Sequence, residues 1–130
     1  MNKREIKFRV WDKNEKTMIN FEEIERIDFT DKTIIVGGYI NFEDIEFMQY
    51  IDLKDKDGIE IYEGDILINT NKSKLNLGID NQKYLVVYKT LGFDLKPLFK
   101  GIALKFNYSD LKKIGNIYEN PELLSEEGCV

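Results

Sequence analysis

The stretch MQYIDLKDKDGIEIYEGDILI, residues 48–68, decides how the chain folds. Its acidic side chains can be read as a calcium loop, as a catalytic acid cluster, or as the corner between two strands. An EF-hand loop needs oxygen ligands at positions one, three and five, glycine at six and a bidentate glutamate at twelve. With Gly58 at six, Asp55 and Asp57 fit, but Leu53 falls at one and Gly64 at twelve. A catalytic carboxyl pair needs a fixed separation and one member that holds its proton. Asp52, Asp55 and Asp57 instead alternate with lysines in what reads as a solvated turn. Glu63 and Asp65 sit among apolar residues, yet an acid beside a glycine corner more often bonds turn amides. The corner reading accounts for every residue. Met48 to Leu53 and Ile59 to Tyr62 have strand character, and Asp57-Gly58 supplies the positive φ of a hairpin. Gly64 lets the chain kink, after which Ile66-Leu67-Ile68 starts a fresh strand. Asp57, Gly58, Gly64 and Asp65 are therefore assigned as structural turn residues. Strand, Gly-Asp corner and strand in this order suit the start of an SH3-like barrel.

Upstream, the pattern is that of a β-meander. Apolar and basic residues alternate in Ile6-Lys7-Phe8-Arg9-Val10, as a half-buried strand requires. Asp12 to Lys16 reads as a turn and Thr17 to Phe21 as the returning strand. Ile24 to Phe29 and Thr33 to Ile40 flank a second turn at Thr30-Asp31-Lys32, and Gly37-Gly38 marks a bulge or sharp bend. Downstream, Asn69 to Gln82 reads as a loop, and Tyr84 to Tyr88 and Leu95 to Phe106 as strands. Tyr108 to Leu111 suits one helical turn, and Lys113 to Tyr118 a short last strand. Asn120-Pro121-Glu122 has the order of a helix start: a capping Asn, then Pro, then an acid near the positive end of the dipole. The predicted fold is mainly β: an N-terminal β-meander over residues 1–50, then an SH3-like barrel with a short C-terminal helix over residues 51–130.

Composition narrows the chemistry. The 130 residues contain no histidine and a single cysteine, Cys129. That excludes a zinc site, a nucleophilic triad and an internal disulfide. No phosphate-binding glycine loop occurs, since Gly37-Gly38 lacks the following Lys-Ser or Lys-Thr. No catalytic residue, metal ligand or cofactor is assigned, and the chain is expected not to be an enzyme. There is no apolar run long enough to span a bilayer and no signal segment, so a cytoplasmic setting without membrane contact is expected.

Charge is segregated. Residues 1–69 carry a net charge of −7, residues 70–113 of +6, and the remaining tail adds four glutamates. In the basic part Lys83, Lys89, Lys96, Lys100 and Lys105 interleave with tyrosines and phenylalanines, as in proteins that stack bases and contact phosphates. All three arginines, Arg4, Arg9 and Arg26, lie elsewhere, and arginine is the usual residue for bidentate phosphate or base contacts. Alternation of core aromatics with solvated lysines is thus favoured over nucleic-acid contact. Trp11 and Arg9, two residues apart on what an N-terminal strand suggests is a sheet edge, are the candidates for self-association or partner capture.

The same opening stretch resembles the hallmark segment of the YopX family of small phage and prophage proteins, where a run like QYTGLKDKNGKEIYEGDIV is typical. IKFRVWD at residues 6–12 and IGNIYENPELL at residues 114–124 resemble the family too, so the likeness extends over essentially the whole chain. Ile51-Asp52 stands where the family usually has Thr-Gly, and Asp57 where Asn is common. The resemblance implies an SH3-like barrel joined to an N-terminal β region, phage origin, expression inside a bacterium, and no established catalytic residue. The expected function is a non-catalytic binding protein engaging a host or phage macromolecule as a homo-oligomer, with inhibition of a host defence system as one form of it. A nucleic-acid-binding module using residues 83–113 is the alternative, and a metal-dependent nuclease a third.

Overall fold

The computed structural model describes residues 5–70, 83–89, 92–97 and 110–124. Within them the chain is mainly β, with a curled, half-barrel sheet and no helix longer than a single 3-10 turn. It divides into two compact units, Met1–Tyr50 and Ile51–Val130, with the division falling inside one long strand.

In the N-terminal unit β1 (Phe8–Asp12) is flanked by β2 (Thr17–Ile19) and by the first half of β6 (Ile45–Lys54), both antiparallel. A second, three-stranded sheet contains β3 (Arg26–Asp28), β4 (Thr33–Val36) and β5 (Gly38–Asn41). Gly37, at φ 74°, makes the sharp reversal between β4 and β5, where Val36 pairs directly with Gly38. Val10, Ile19, Ile34 and Ile45 form the buried core.

Two of this unit's turns are built alike. Asp12 Oδ1 accepts the N–H groups of Asn14 (2.9 Å) and Glu15 (3.1 Å), and Lys16 adopts φ 55°. Asp28 Oδ1 accepts those of Thr30 (3.0 Å) and Asp31 (2.9 Å), and Lys32 also adopts φ 55°. Both turns read Asp-x-x-x-Lys-Thr in the sequence. The carboxylate satisfies amides that the reversing backbone cannot pair, and the lysine takes the left-handed position that closes the hairpin.

In the C-terminal unit β6 is followed by β7 (Glu60–Tyr62), its neighbour in the sheet. β8 (Asp65–Asn69), β9 (Lys83–Lys89), β10 (Gly92–Pro97) and β11 (Leu111–Asn116) form an antiparallel sheet in the order β10-β9-β8-β11. Ile51, Ile61, Leu67, Tyr84, Val86 and Leu111 make its core, with Phe93 and Leu95 against them. Leu111, read from sequence as part of a helical turn, opens β11 with no exposed surface.

The residues expected to start a C-terminal helix make one 3-10 turn, Pro121–Leu124, closed by the Leu123 N–H on the Asn120 carbonyl at 3.0 Å. The reason is local. Asn120 Oδ1 accepts the N–H of Asn116 (3.2 Å), so its side chain is turned back toward β11 rather than onto the first helical amides.

Candidate protein-binding face

Five phenylalanines of the N-terminal unit run in a continuous row of edge-to-face contacts. Phe21 meets Phe8 at 5.5 Å between ring centroids, Phe8 meets Phe47 at 6.3 Å, Phe47 meets Phe42 at 5.2 Å, and Phe42 meets Phe29 at 6.2 Å. Five different elements supply them: β1, β6, the 3-10 turns at Phe21–Glu23 and Phe42–Asp44, and the turn after β3. Phe42 roots the row in the unit's core, whereas Phe47 is 41% exposed and Phe29 76%.

Burial does not explain Phe29, and neither does its turn. Phe29 holds the position that Lys13 holds in the sister turn, so the backbone geometry accepts a polar side chain there. An aromatic ring held mainly in water forgoes most of the roughly 1.5–3 kcal/mol its burial would contribute. A single exposed ring is ordinary, but Phe29 continues a contiguous aromatic row that includes the exposed Phe47, and a contiguous apolar patch marks a contact surface.

Around the row the charge is negative. Residues 20–47 hold eight carboxylates against Arg26 and Lys32. Glu22, Asp31 and Glu43 are exposed and lie within two residues of Phe21, Phe29 and Phe42.

The acidic stretch 52–65 belongs to the C-terminal unit, and its two buried acids, Asp55 and Asp65, are chemically occupied. Asp55, expected in a solvated turn, is 6% exposed. Its Oδ1 accepts the N–H groups of Asp57 (2.8 Å) and Ile59 (2.9 Å), and its Oδ2 that of Lys113 (2.9 Å). Burial alone would raise its pKa; the backbone N–H groups of Lys113, Ile59 and Asp57 and the Lys113 charge outweigh that and hold it below the ordinary value. The loop is a three-residue one in which Gly58, at φ 80°, takes the left-handed place and Asp57 is exposed.

Asp65 has no exposed surface. Its Oδ2 accepts the Tyr62 N–H at 2.7 Å and pairs with Lys113 Nζ at 3.1 Å. Lys113 also lies 5.9 Å from the centre of the Tyr62 ring. Gly64, at φ 86°, donates its N–H to Val86 and accepts that of Ile117. The Gly-Asp corner is thereby tied to β9 and to the turn after β11. In that turn Asn116 Oδ1 accepts the N–H groups of Tyr118 (3.0 Å) and Glu119 (2.8 Å). Among the described residues no three metal-ligating side chains converge.

Several sequence expectations need correction. β1 is not an edge strand, because β2 and β6 pair with it on either side, and Trp11 on it is only half-buried. Arg9 is 5% exposed, so its side chain is a packed element of the unit. Lys83 is likewise buried, at 6%, which removes it from a phosphate-contacting surface. Lys96 is exposed on β10, and the backbone of Lys89 pairs with Gly92. Lys100, Lys105 and Cys129 lie outside the described residues. Tyr88, 64% exposed, packs edge-on against Phe93 at 5.4 Å. The phenylalanine row was not foreseen, because its spacing follows no strand or helix period.

No helix among the described residues is long and apolar enough to cross a membrane. No curated protein matches the sequence significantly. Among solved structures the chain is similar to the crystal structure of protein EF1440 from Enterococcus faecalis, at 28% identity and a TM-score of 0.70, over 95% of this chain and 100% of that one. The family model described as YopX protein matches residues 7–125, a span that includes the Gly-Asp corner, the Asn116 turn and all five phenylalanines of the row. The chain belongs to the YopX family.

Proposed function

We propose that this is a phage- or prophage-encoded, non-catalytic binding protein of the bacterial cytoplasm that engages a host or phage protein, inhibition of a host defence system being one form of that action. The observation that carries the reading is the row that exposes Phe29 at one end and Phe47 at its middle. The non-catalytic part is supported by the occupation of Asp55 and Asp65 with backbone amides and Lys113, which leaves those acids poorly placed for proton transfer. We read the C-terminal unit as an SH3-like barrel that serves as scaffold; its four-stranded antiparallel sheet supports that reading. Self-association has less support than in the sequence reading, since Trp11 is on an inner strand.

The test is capture from host lysate by the wild-type chain and by the Phe29→Ser/Phe47→Ser variant, with bound proteins identified by mass spectrometry. A protein enriched by the wild type and lost with the variant, while circular dichroism shows the same fold, is the expected result. Retention by the variant would overturn the reading.

One observation keeps a second reading open. Exposed Tyr88, packed edge-on against Phe93, is a ring on which a nucleic-acid base can stack. It predicts nanomolar, salt-sensitive RNA or single-stranded DNA binding that Tyr88→Ala abolishes.

A further inference from the structure

We infer that the phenylalanine row receives a cationic, apolar segment of another polypeptide: a short stretch in which large apolar side chains alternate with lysine or arginine. The inference rests on the protein-binding reading above and names the chemistry of the partner.

Charge selects among the occupants an aromatic face could take. Exposed Glu22, Asp31 and Glu43 lie within two residues of Phe21, Phe29 and Phe42 along the chain. Of the nearby cations, Lys7 pairs with Glu5 at 3.1 Å and Lys13 with Glu46 at 3.2 Å. Arg26 and Lys32 remain exposed, and the balance over residues 20–47, with both counted, is −6. A nucleic acid or an anionic lipid surface would be repelled. A second copy docking the same face about a two-fold axis would bring two sets of these carboxylates together. A cationic segment instead gains steering on approach from the acidic rim. Its apolar side chains would find aromatic edges and faces in the exposed Phe29 and Phe47. The row has two chemistries at once, aromatic centre and acidic margin, and only a partner carrying both complements satisfies it.

Three labelled peptides of about twelve residues, a length that covers a surface of several side chains, make the probe: alternating Leu/Lys, alternating Leu/Glu, and alternating Ser/Lys. Fluorescence anisotropy and amide shift changes are followed on the full chain. The expected result is saturable binding of Leu/Lys alone, with shifts centred on Phe29, Phe42 and Phe47. That binding should weaken with salt and fall about tenfold or more in Phe29→Ser. A separate variant, Glu22→Gln/Asp31→Asn/Glu43→Gln, keeps every ring and should weaken Leu/Lys binding while reducing its salt dependence. Equal binding of Leu/Glu, binding of Ser/Lys without the rings, or no binding of Leu/Lys would each overturn the cationic-partner inference. Overturned in any of these ways, it would leave the lysate result to decide the broader reading. Loss of a dimer on Phe29→Ser, seen by light scattering, would assign the face to a second copy and overturn it too.

Discussion

Asp55 accepts the backbone N–H of Lys113 at 2.9 Å, across 58 residues of chain. Lys113 in turn places its ammonium on the buried Asp65. Between them these residues tie the loop after β6 and the Gly-Asp corner to β11. The acidic motif that first suggested chemistry is a clamp in the C-terminal unit.

Asp55→Ala should therefore lose about 3 kcal/mol or more in urea unfolding, since three amides lose a charged acceptor. Asp55→Asn should lose less, because an amide oxygen can still serve Asp57 and Ile59. The folded pKa of Asp55 is lowered, so its contribution is fully present above the ordinary carboxyl value, about pH 4. It is lost as pH falls through the lower folded value. Wild-type stability should decline more steeply than that of Asp55→Asn below about pH 4; parallel profiles would contradict the clamp.

Gly115 lies where a Cβ would overlap the side-chain amide of Asn120. Gly115→Ala should cost about 1–3 kcal/mol, as overpacking does. Gly38→Ala is the control, because open space surrounds that position. Thermal melts of the two variants should separate clearly.

Lys16, Lys32 and Asp52 hold φ values of 55°, 55° and 65°, where a side chain is strained. Glycine relieves roughly 1–2 kcal/mol of that strain and gives back roughly 0.4–1 kcal/mol through a looser unfolded chain. Each single Gly variant should gain a few tenths to about 1 kcal/mol on this balance. A loss at Asp52→Gly would show that its carboxylate has a role of its own.

Calorimetric titration with magnesium, manganese, calcium or zinc should give no site tighter than about 1 µM. A tight site lost on Asp57→Asn, Glu63→Gln or Asp65→Asn would restore a metal-dependent reading.

Much of the strand order is legible because alternation and turn residues are local signals. The turn at residues 12–16, the reversal at Gly37 and strand β9 all come from stretches of a few residues. Asp55 escaped because lysines on both sides mimic a solvated turn, and its decisive partner lies in a distant strand. Arg9 and Lys83 escaped for a different reason. Alternation assigns one wet face to each strand, yet Arg9 and Val10 are buried in succession, as are Lys83 and Tyr84, so both faces of these strands are covered. Of the candidate face, only the aromatic content could be read. Phe8, Phe21, Phe29, Phe42 and Phe47 become neighbours through the pairing of β1 with β6 and the placement of two 3-10 turns.

The twin turns after β1 and β3 also divide labour within five residues. In each, an aspartate and a lysine fix the backbone, while the residue after the aspartate, Lys13 in one and Phe29 in the other, is left out of that bonding. Phe29 can thus be exchanged without rewriting the hairpin that displays it. The tip is an interchangeable head on a fixed handle, so the side chain displayed there can change by a single codon while the scaffold stays intact.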